Sequence, residues 1–384
     1  MASSDMTLSH MRELFKQLPD ERKRKKIDKK ILNKVFKEVD KIKKIQFNKK
    51  QYDNIFWGDN PYKGNSLTID LPHIELDEIT PVPEDFINTA VFYDEKKVKA
   101  QKMKYVDESC VITYKGEIMI VYITEDTDKA ITKATERIEA LTPQFEKYYP
   151  VKEDTFYTPF KFSNKKKPSR KEKDEINKFK AIHKAEPRYT GKNWMDGMIR
   201  YFKGVQNKQG GTVISYQPRK VEADDDEDFL FNIVYTYCAL YELEKRYCPD
   251  IARYRFELAR DAGYVGAFPN VPLDRHCATG LGASLDFASA IHNDSGLSGL
   301  SETIIWNTPE KGMKQYFISP TLKLVFDLSD KKAIIFQPPK VPHSTLSTGN
   351  HKGVGLVNIT KANLVAKTDL TKKWYNIWKQ ELKL

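Results

Sequence analysis

Between Gly280 and Ile359 the chain carries a succession of short apolar runs separated by Gly, Pro and Asn. Ser284 to Ile291, Thr303 to Asn307, Gln315 to Ile318, Leu322 to Asp327, Ala333 to Gln337 and Gly353 to Ile359 each read as a strand. Short strands at this spacing indicate a sandwich or a barrel. No repeat of 20–50 residues is visible, so the region reads as one closed unit and not as an array.

The remainder mixes both kinds of element, which makes the whole chain α+β. Residues 1–50 read as helical, with Ile27, Ile31, Leu32, Val35, Phe36 and Val39 at roughly helical spacing. Leu67-Thr68-Ile69 begins a strand that Pro72 ends. Cys110 to Tyr114 and Ile118 to Ile123 flank Lys115-Gly116 and read as a hairpin. Asp126 or Thr127 caps an expected helix through Ile131, Ala134, Ile138 and Leu141, closed by Pro143. Residues 163–178 have no apolar period and read as a linker. Trp194 to Val205 reads as a helix and Thr212 to Tyr216 as a strand. Phe229 to about Ala262 reads as a long helix broken at Pro249, with Phe231, Val234, Tyr235, Cys238 and Leu243 as core.

Charge narrows the partners. Arg12 to Lys50 holds 16 Lys/Arg and 6 Asp/Glu, and the whole chain has a net charge of +11. The cluster Arg22-Lys23-Arg24-Lys25-Lys26 fits nuclear import or phosphate contacts on nucleic acid, and equally a solvated helix face. A second basic run spans Lys165 to Lys171, and an acidic run spans Glu222 to Asp228. No apolar run approaches the roughly 20 residues of a membrane span. The start of the chain lacks the order of a secretory signal. Four scattered cysteines, Cys110, Cys238, Cys248 and Cys277, suit neither a disulfide framework nor a cysteine-rich zinc module. The expectation is a soluble protein of a reducing compartment, directed to the nucleus, without a membrane partner and of open oligomeric state.

The chemistry concentrates in the strand-rich region. His292-Asn293-Asp294 is an H-x-D pair at the end of an expected strand, and His343 follows the apolar run Ile334-Ile335-Phe336 and the turn Pro338-Pro339-Lys340. Two imidazoles and one carboxylate are the ligand set of a facial triad for non-haem Fe(II), which leaves positions open for cosubstrate and O2. The chain has seven histidines, and two of them fall at strand ends in this one segment. A zinc hydrolase uses the same ligand types, but no nearby carboxylate is placed as its general base. Ordinary strand-end histidines are the plain alternative.

On these residues the sequence resembles the double-stranded β-helix of the Fe(II)/2-oxoglutarate dioxygenases. Leu285-Asp286-Phe287, four residues and then His292-Asn293-Asp294 is similar to the iron-binding segment of the TET/JBP nucleobase oxygenases. Gly211 to Lys220, ending Tyr216-Gln217-Pro218-Arg219-Lys220, is similar to a strand ending in Pro-Arg in some relatives. Gly355-Leu356-Val357 falls where the family's last core strand runs. The resemblance covers about 190–365. It implies oxidation of the methyl group of 5-methylcytosine or thymine in DNA, with His292, Asp294 and His343 holding Fe(II) and with 2-oxoglutarate and O2 consumed. It also implies a C-terminal double-stranded β-helix (jelly-roll) with flanking helices at 181–384; the chain's own patterning places before it a basic helical segment (1–50), a small α+β region (51–162) and a basic linker (163–180).

The chain departs from the family in two places. No arginine follows His343, so the implied partner of the 2-oxoglutarate carboxylate is Lys352, with an exposed turn lysine as the plain alternative; lysine lacks arginine's bidentate fork. Arg219 is a further candidate for substrate or cosubstrate, or a partner of the acidic run. Three residues after Asp294, where animal members carry a base-contacting asparagine, stands Leu297. His351 reads as a surface residue, and Trp306 as a packed strand residue or a pocket wall. Two other functions share the same residues: an Fe(II)-dependent protein side-chain hydroxylase, and a DNA-binding module on a degenerate dioxygenase fold.

Overall fold

A computed structural model describes residues 27–57, 70–82, 93, 95–148, 189–196, 199–203, 212–216, 221–261, 268, 270–278, 280–292, 302–307, 314–329, 331–338, 340–348 and 354–359. The helices are α1 (Lys29–Lys44), α2 (Glu95–Ala100), α3 (Ala130–Thr135), α4 (Ile138–Tyr148), α5 (Glu227–Tyr247) and α6 (Pro249–Asp261). The N-terminal strands are β1 (His73–Leu76), β2 (Lys104–Val106), β3 (Cys110–Tyr114), β4 (Glu117–Thr124), β5 (Tyr189–Asp196), β6 (Ile199–Lys203) and β7 (Thr212–Tyr216). The rest are β8 (Gly280–His292), β9 (Glu302–Asn307), β10 (Lys314–Ser319), β11 (Leu324–Asp327), β12 (Lys332–Phe336), β13 (His343–Thr348) and β14 (Val354–Ile359). The fold is therefore mixed α+β.

Strand pairing runs β1-β3-β4-β12-β9-β14-β8-β13-β10-β11-β2, with β5 on the other edge of β8 and β6 paired with β7 apart. The 13-residue β8 joins two layers. Its first half pairs with β14, from Ile359↔Gly280 to Val354↔Leu285, and its end pairs with β13 at His343↔His292. On the β5 edge the register slips between Thr190 and Lys192, opposite 286 and 287 of β8. An extra residue of this kind bends a strand, which suits it to carry a chain from one sheet layer to the next.

Period-two alternation places the core between the layers. On β12, Ile334 and Phe336 face β10 and β11, while Ala333 and Ile335 face the helices. On β4, Ile120 and Tyr122 face inward, and Val121 and Ile123 face the helices. Phe317 and Phe336 meet across the gap at 5.0 Å between ring centroids, and Tyr122 and Phe326 at 5.4 Å. Strands covered on both faces read as continuous apolar runs, which is why Ile118 to Ile123 shows no polar alternation.

Several expectations need correction. Trp194 to Val205 is not a helix: Tyr189–Asp196 lies along β8, and Ile199–Lys203 pairs with β7. The strand at 212–216 requires a neighbour, and that backbone demand overrides the local apolar spacing. The helix expected from Asp126 to Pro143 is two helices, with Asp128 accepting from the Ala130 amide at 2.9 Å. Pro143 lies inside α4, because Phe145 and Tyr148 beyond it are buried against Phe229. Strand β13 has no counterpart among the expected strands. The expected break at Pro249, the hairpin at Lys115-Gly116 and the strand at Thr212–Tyr216 are present. Strands β2, β3 and β4 are hydrogen-bonded into the same sheet as β8 to β14, through β4 with β12 and β2 with β11. The strand expected at Leu67-Thr68-Ile69 and the linker at 163–180 lie outside the described residues.

The basic segment has two faces. Ile31, Leu32, Val35, Val39 and Ile42 of α1 are buried, packed with α5. Asn270 clamps the start of α1 through the Ile27 amide at 2.9 Å and its carbonyl at 2.7 Å. At the other end, Arg246 of α5 donates to the Ile45 carbonyl at 2.8 Å and forks onto Asp128, which also accepts from Tyr247. Asp128 and Arg246 are both buried. Asp128→Ala strands the Arg246 guanidinium in the interior and is expected to lower stability by about 3–5 kcal/mol in urea unfolding; a loss under about 1 kcal/mol would show that this pair does not fasten α5 to the turn before α3.

Candidate metal centre

His292 ends β8 and His343 begins β13, so the ladder places the two directly opposite one another. Their ring centroids are 4.2 Å apart. His343 is buried between aromatic rings: Phe317 stacks on it at 4.9 Å and 14°, and Phe336 meets it edge-on at 4.9 Å. His292 is half-buried. Both lie on the inner side of the two layers, at the end where β8 and β13 meet.

Each imidazole is anchored in the same way. His292 Nδ1 lies 2.8 Å from the Ala290 carbonyl and His343 Nδ1 lies 3.0 Å from the Val341 carbonyl, each two residues back. A carbonyl only accepts, so Nδ1 carries a proton in both rings, and in the neutral imidazole Nε2 then keeps its lone pair. That is the tautomer a metal-binding histidine needs, fixed by the outer hydrogen bond that such ligands typically make. The donor set therefore fits a metal bound through two Nε2 atoms.

The approach of the two rings depends on a bulge. The register passes from His343↔His292 to Thr345↔Ser289, so Ala290 and Ile291 together oppose Ser344. Ile291 turns outward onto Val98, Ile318 and Val325. Ser289 faces Thr345, their hydroxyls 2.9 Å apart. In an unbroken strand Ser289 and His292, three apart, would face opposite ways; with the bulge both face inward.

Other groups are poor ligands. All four cysteines are free and buried, and burial pushes Cys110, Cys238 and Cys277 up to about 12 and Cys248 upward as well. Among the described residues no three His, Cys, Asp or Glu side chains converge on one point. The carboxylate expected to complete the set, Asp294, lies two residues beyond His292 and outside the described residues, as do Arg219, Leu297, His351 and Lys352. Trp306 lies in β9 opposite Lys332 and Gly355. Of the sequence candidates, the structure thus brings together His292 and His343. It adds Ser289, Thr345, Phe317 and Phe336, none of which carries a sequence signal, because the bulge that assembles them is a property of register.

No family model matches the chain, and no curated protein matches it in sequence. Among solved structures, one described as NgTET1 in complex with 5mC DNA is similar over 88% of this chain and 92% of that chain, with a TM-score of 0.41 and 11% identity. No helix among the described residues is long and apolar enough to cross a membrane.

His343→Ala and His292→Ala should both abolish tight binding of Co(II), a spectroscopically visible substitute, but at unequal structural cost. His343→Ala empties an aromatic box and should cost about 2–4 kcal/mol, against about 1 kcal/mol or less for the half-buried His292→Ala. Tight Co(II) binding retained in either variant would remove that residue from the centre.

Proposed function

We propose that this chain is an Fe(II)-dependent dioxygenase that uses 2-oxoglutarate to oxidise a methyl group on a base of DNA. The observation that carries the reading is the pair of imidazoles facing each other from the end of β8 and the start of β13, each with Nδ1 tied to its own backbone. The strand order supports it. The inner layers β8-β14-β9-β12 and β8-β13-β10-β11 interleave along the chain as the two sheets of a double-stranded β-helix do.

In this reading His292, His343 and Asp294 hold the iron, and Lys352, two residues ahead of β14, pairs with the distal carboxylate of 2-oxoglutarate. Arg219, three residues past β7, is a second candidate for that anion or for the substrate. Bound iron supplies activation of O2, with 2-oxoglutarate oxidised to succinate and CO2 as the methyl group becomes hydroxymethyl. The protein holds the imidazoles in one tautomer. Phe317 and Phe336 cover His343 and keep water from its ring.

DNA as partner rests on charge placement. Along the exposed side of α1 stand Lys30, Lys34, Lys37, Lys41 and Lys44, one helical line of cations. Lys41 is paired with Glu38, whereas Lys30, Lys34, Lys37 and Lys44 have no carboxylate partner among the described residues. Because the opposite face of α1 is core, this line is held at a fixed place on the body. Such a line suits a phosphate backbone. The cluster Arg22 to Lys26 extends the positive charge toward the N-terminus and is the proposed nuclear-import segment.

The test is an anaerobic Fe(II) titration with and without 2-oxoglutarate, followed by single turnover on methylated duplex DNA. A 2-oxoglutarate-dependent charge-transfer band, absent in His292→Ala, together with DNA-dependent succinate release is the expected result. A band with no DNA-stimulated turnover would move the substrate to a protein side chain; the absence of iron binding would end the enzyme reading. For the DNA surface, Lys30→Gln/Lys34→Gln/Lys37→Gln should weaken duplex binding and make the salt slope shallower by roughly one for each phosphate no longer neutralised. An unchanged slope would take α1 out of the interface.

A further inference from the structure

The bulge between β8 and β13 is held by side chains where a regular ladder would use backbone. The Thr345 amide donates to Ser289 Oγ at 3.1 Å, the Thr345 and Ser289 hydroxyls lie 2.9 Å apart, and Ser344 Oγ donates to the Ser289 carbonyl at 2.6 Å. Ser289, Ser344 and Thr345 are all buried. A buried amide must find an acceptor. With Ser289 Oγ in that role, Thr345 stays opposite Ser289 and the two residues Ala290 and Ile291 share the space opposite Ser344. Without it, the nearest acceptor for the amide is the Ser289 carbonyl, and the regular pairing of Thr345 with Ser289 then continues as Ser344 with Ala290 and His343 with Ile291. A one-residue slip turns every later side chain of the strand to the other face. His292 would then leave the inner side and the neighbourhood of His343.

We propose that Ser289 and Thr345 form a positioning clip for the metal centre: their hydroxyl pair locks the bulge whose parity aims His292 at the ion that His343 also holds. This rests on the reading of His292 and His343 as metal ligands. The clip touches neither ion nor substrate, and it acts through the register of β8. Its inner-facing hydroxyls also account for polar residues in an otherwise apolar space lined by Phe317, Phe326 and Phe336.

The experiment uses the full chain and Co(II) as probe, reading the dissociation constant from the visible absorption bands, with unfolding midpoints measured in parallel. Ser289→Ala removes the acceptor of the Thr345 amide and is expected to weaken Co(II) binding about 10–100-fold, the range usual when a metal ligand is deprived of its outer support. Thr345→Val keeps the shape and removes only the hydroxyl, and should weaken binding less than Ser289→Ala. Thr345→Ser restores the hydroxyl and should return affinity to within about twofold of wild type, while Thr345→Val does not. If Ser289→Ala fails to fold, the Thr345→Val and Thr345→Ser pair decides by the same readout. Wild-type affinity in folded Ser289→Ala, or equal affinities in Thr345→Val and Thr345→Ser, would overturn the clip while leaving the histidine pair in place. A wild-type chain that binds no Co(II) would overturn both.

Discussion

Strand β8 spends one edge on two neighbours, β14 along its first half and β13 at its end, and most of the architecture follows from that division. A strand that pairs with two partners in succession must bend between them, and the slipped register opposite Gly191 marks where it does so. From that bend one layer runs through β14, β9, β12, β4 and β3 to β1, and the other through β13, β10 and β11 to β2. The space between the layers is filled by Phe317, Phe326, Phe336 and Tyr122. The hydroxyl of Tyr122 reaches the Asp327 carbonyl on the opposite layer and ties the two together.

The helices complete the first layer. Strands β3, β4 and β12 are apolar on both faces, and their second face is covered by α1, α3, α4 and α5. The smaller cluster around Tyr93, Val98 and Met103 covers the outside of the second layer, and Ile291 is part of it. The same bulge therefore serves packing and chemistry: it sends Ile291 outward into that cluster and His292 inward toward His343. Stability of the outer cluster and placement of the proposed ligand are coupled through two adjacent residues.

Much of the element plan is legible in the sequence, because period two and period 3.6 leave distinct traces. Short β runs bounded by Gly and Pro, the Lys115-Gly116 turn with both residues at positive φ, and the Pro249 break all rest on local backbone chemistry. Residues 189–196 and 199–203 mislead a local reading because their strand character comes from the partners β8 and β7, which apolar spacing does not encode. Strand β13 leaves no apolar trace because His343-Ser344-Thr345 is polar, although all three are buried and His343 packs on Phe317 and Phe336. His292 and His343 are legible through rarity and spacing. Ser289 and Thr345 are not, since only the register reveals that a serine side chain replaces a backbone acceptor.

The central claim is that His292 and His343 bind one iron through Nε2. X-ray absorption at the iron edge of the anaerobic Fe(II)-loaded chain tests it most directly. The expected spectrum shows nitrogen and oxygen ligands, with the more distant scattering of two imidazole rings and no sulfur. A spectrum fitted by oxygen ligands alone, or one that requires sulfur, would contradict it.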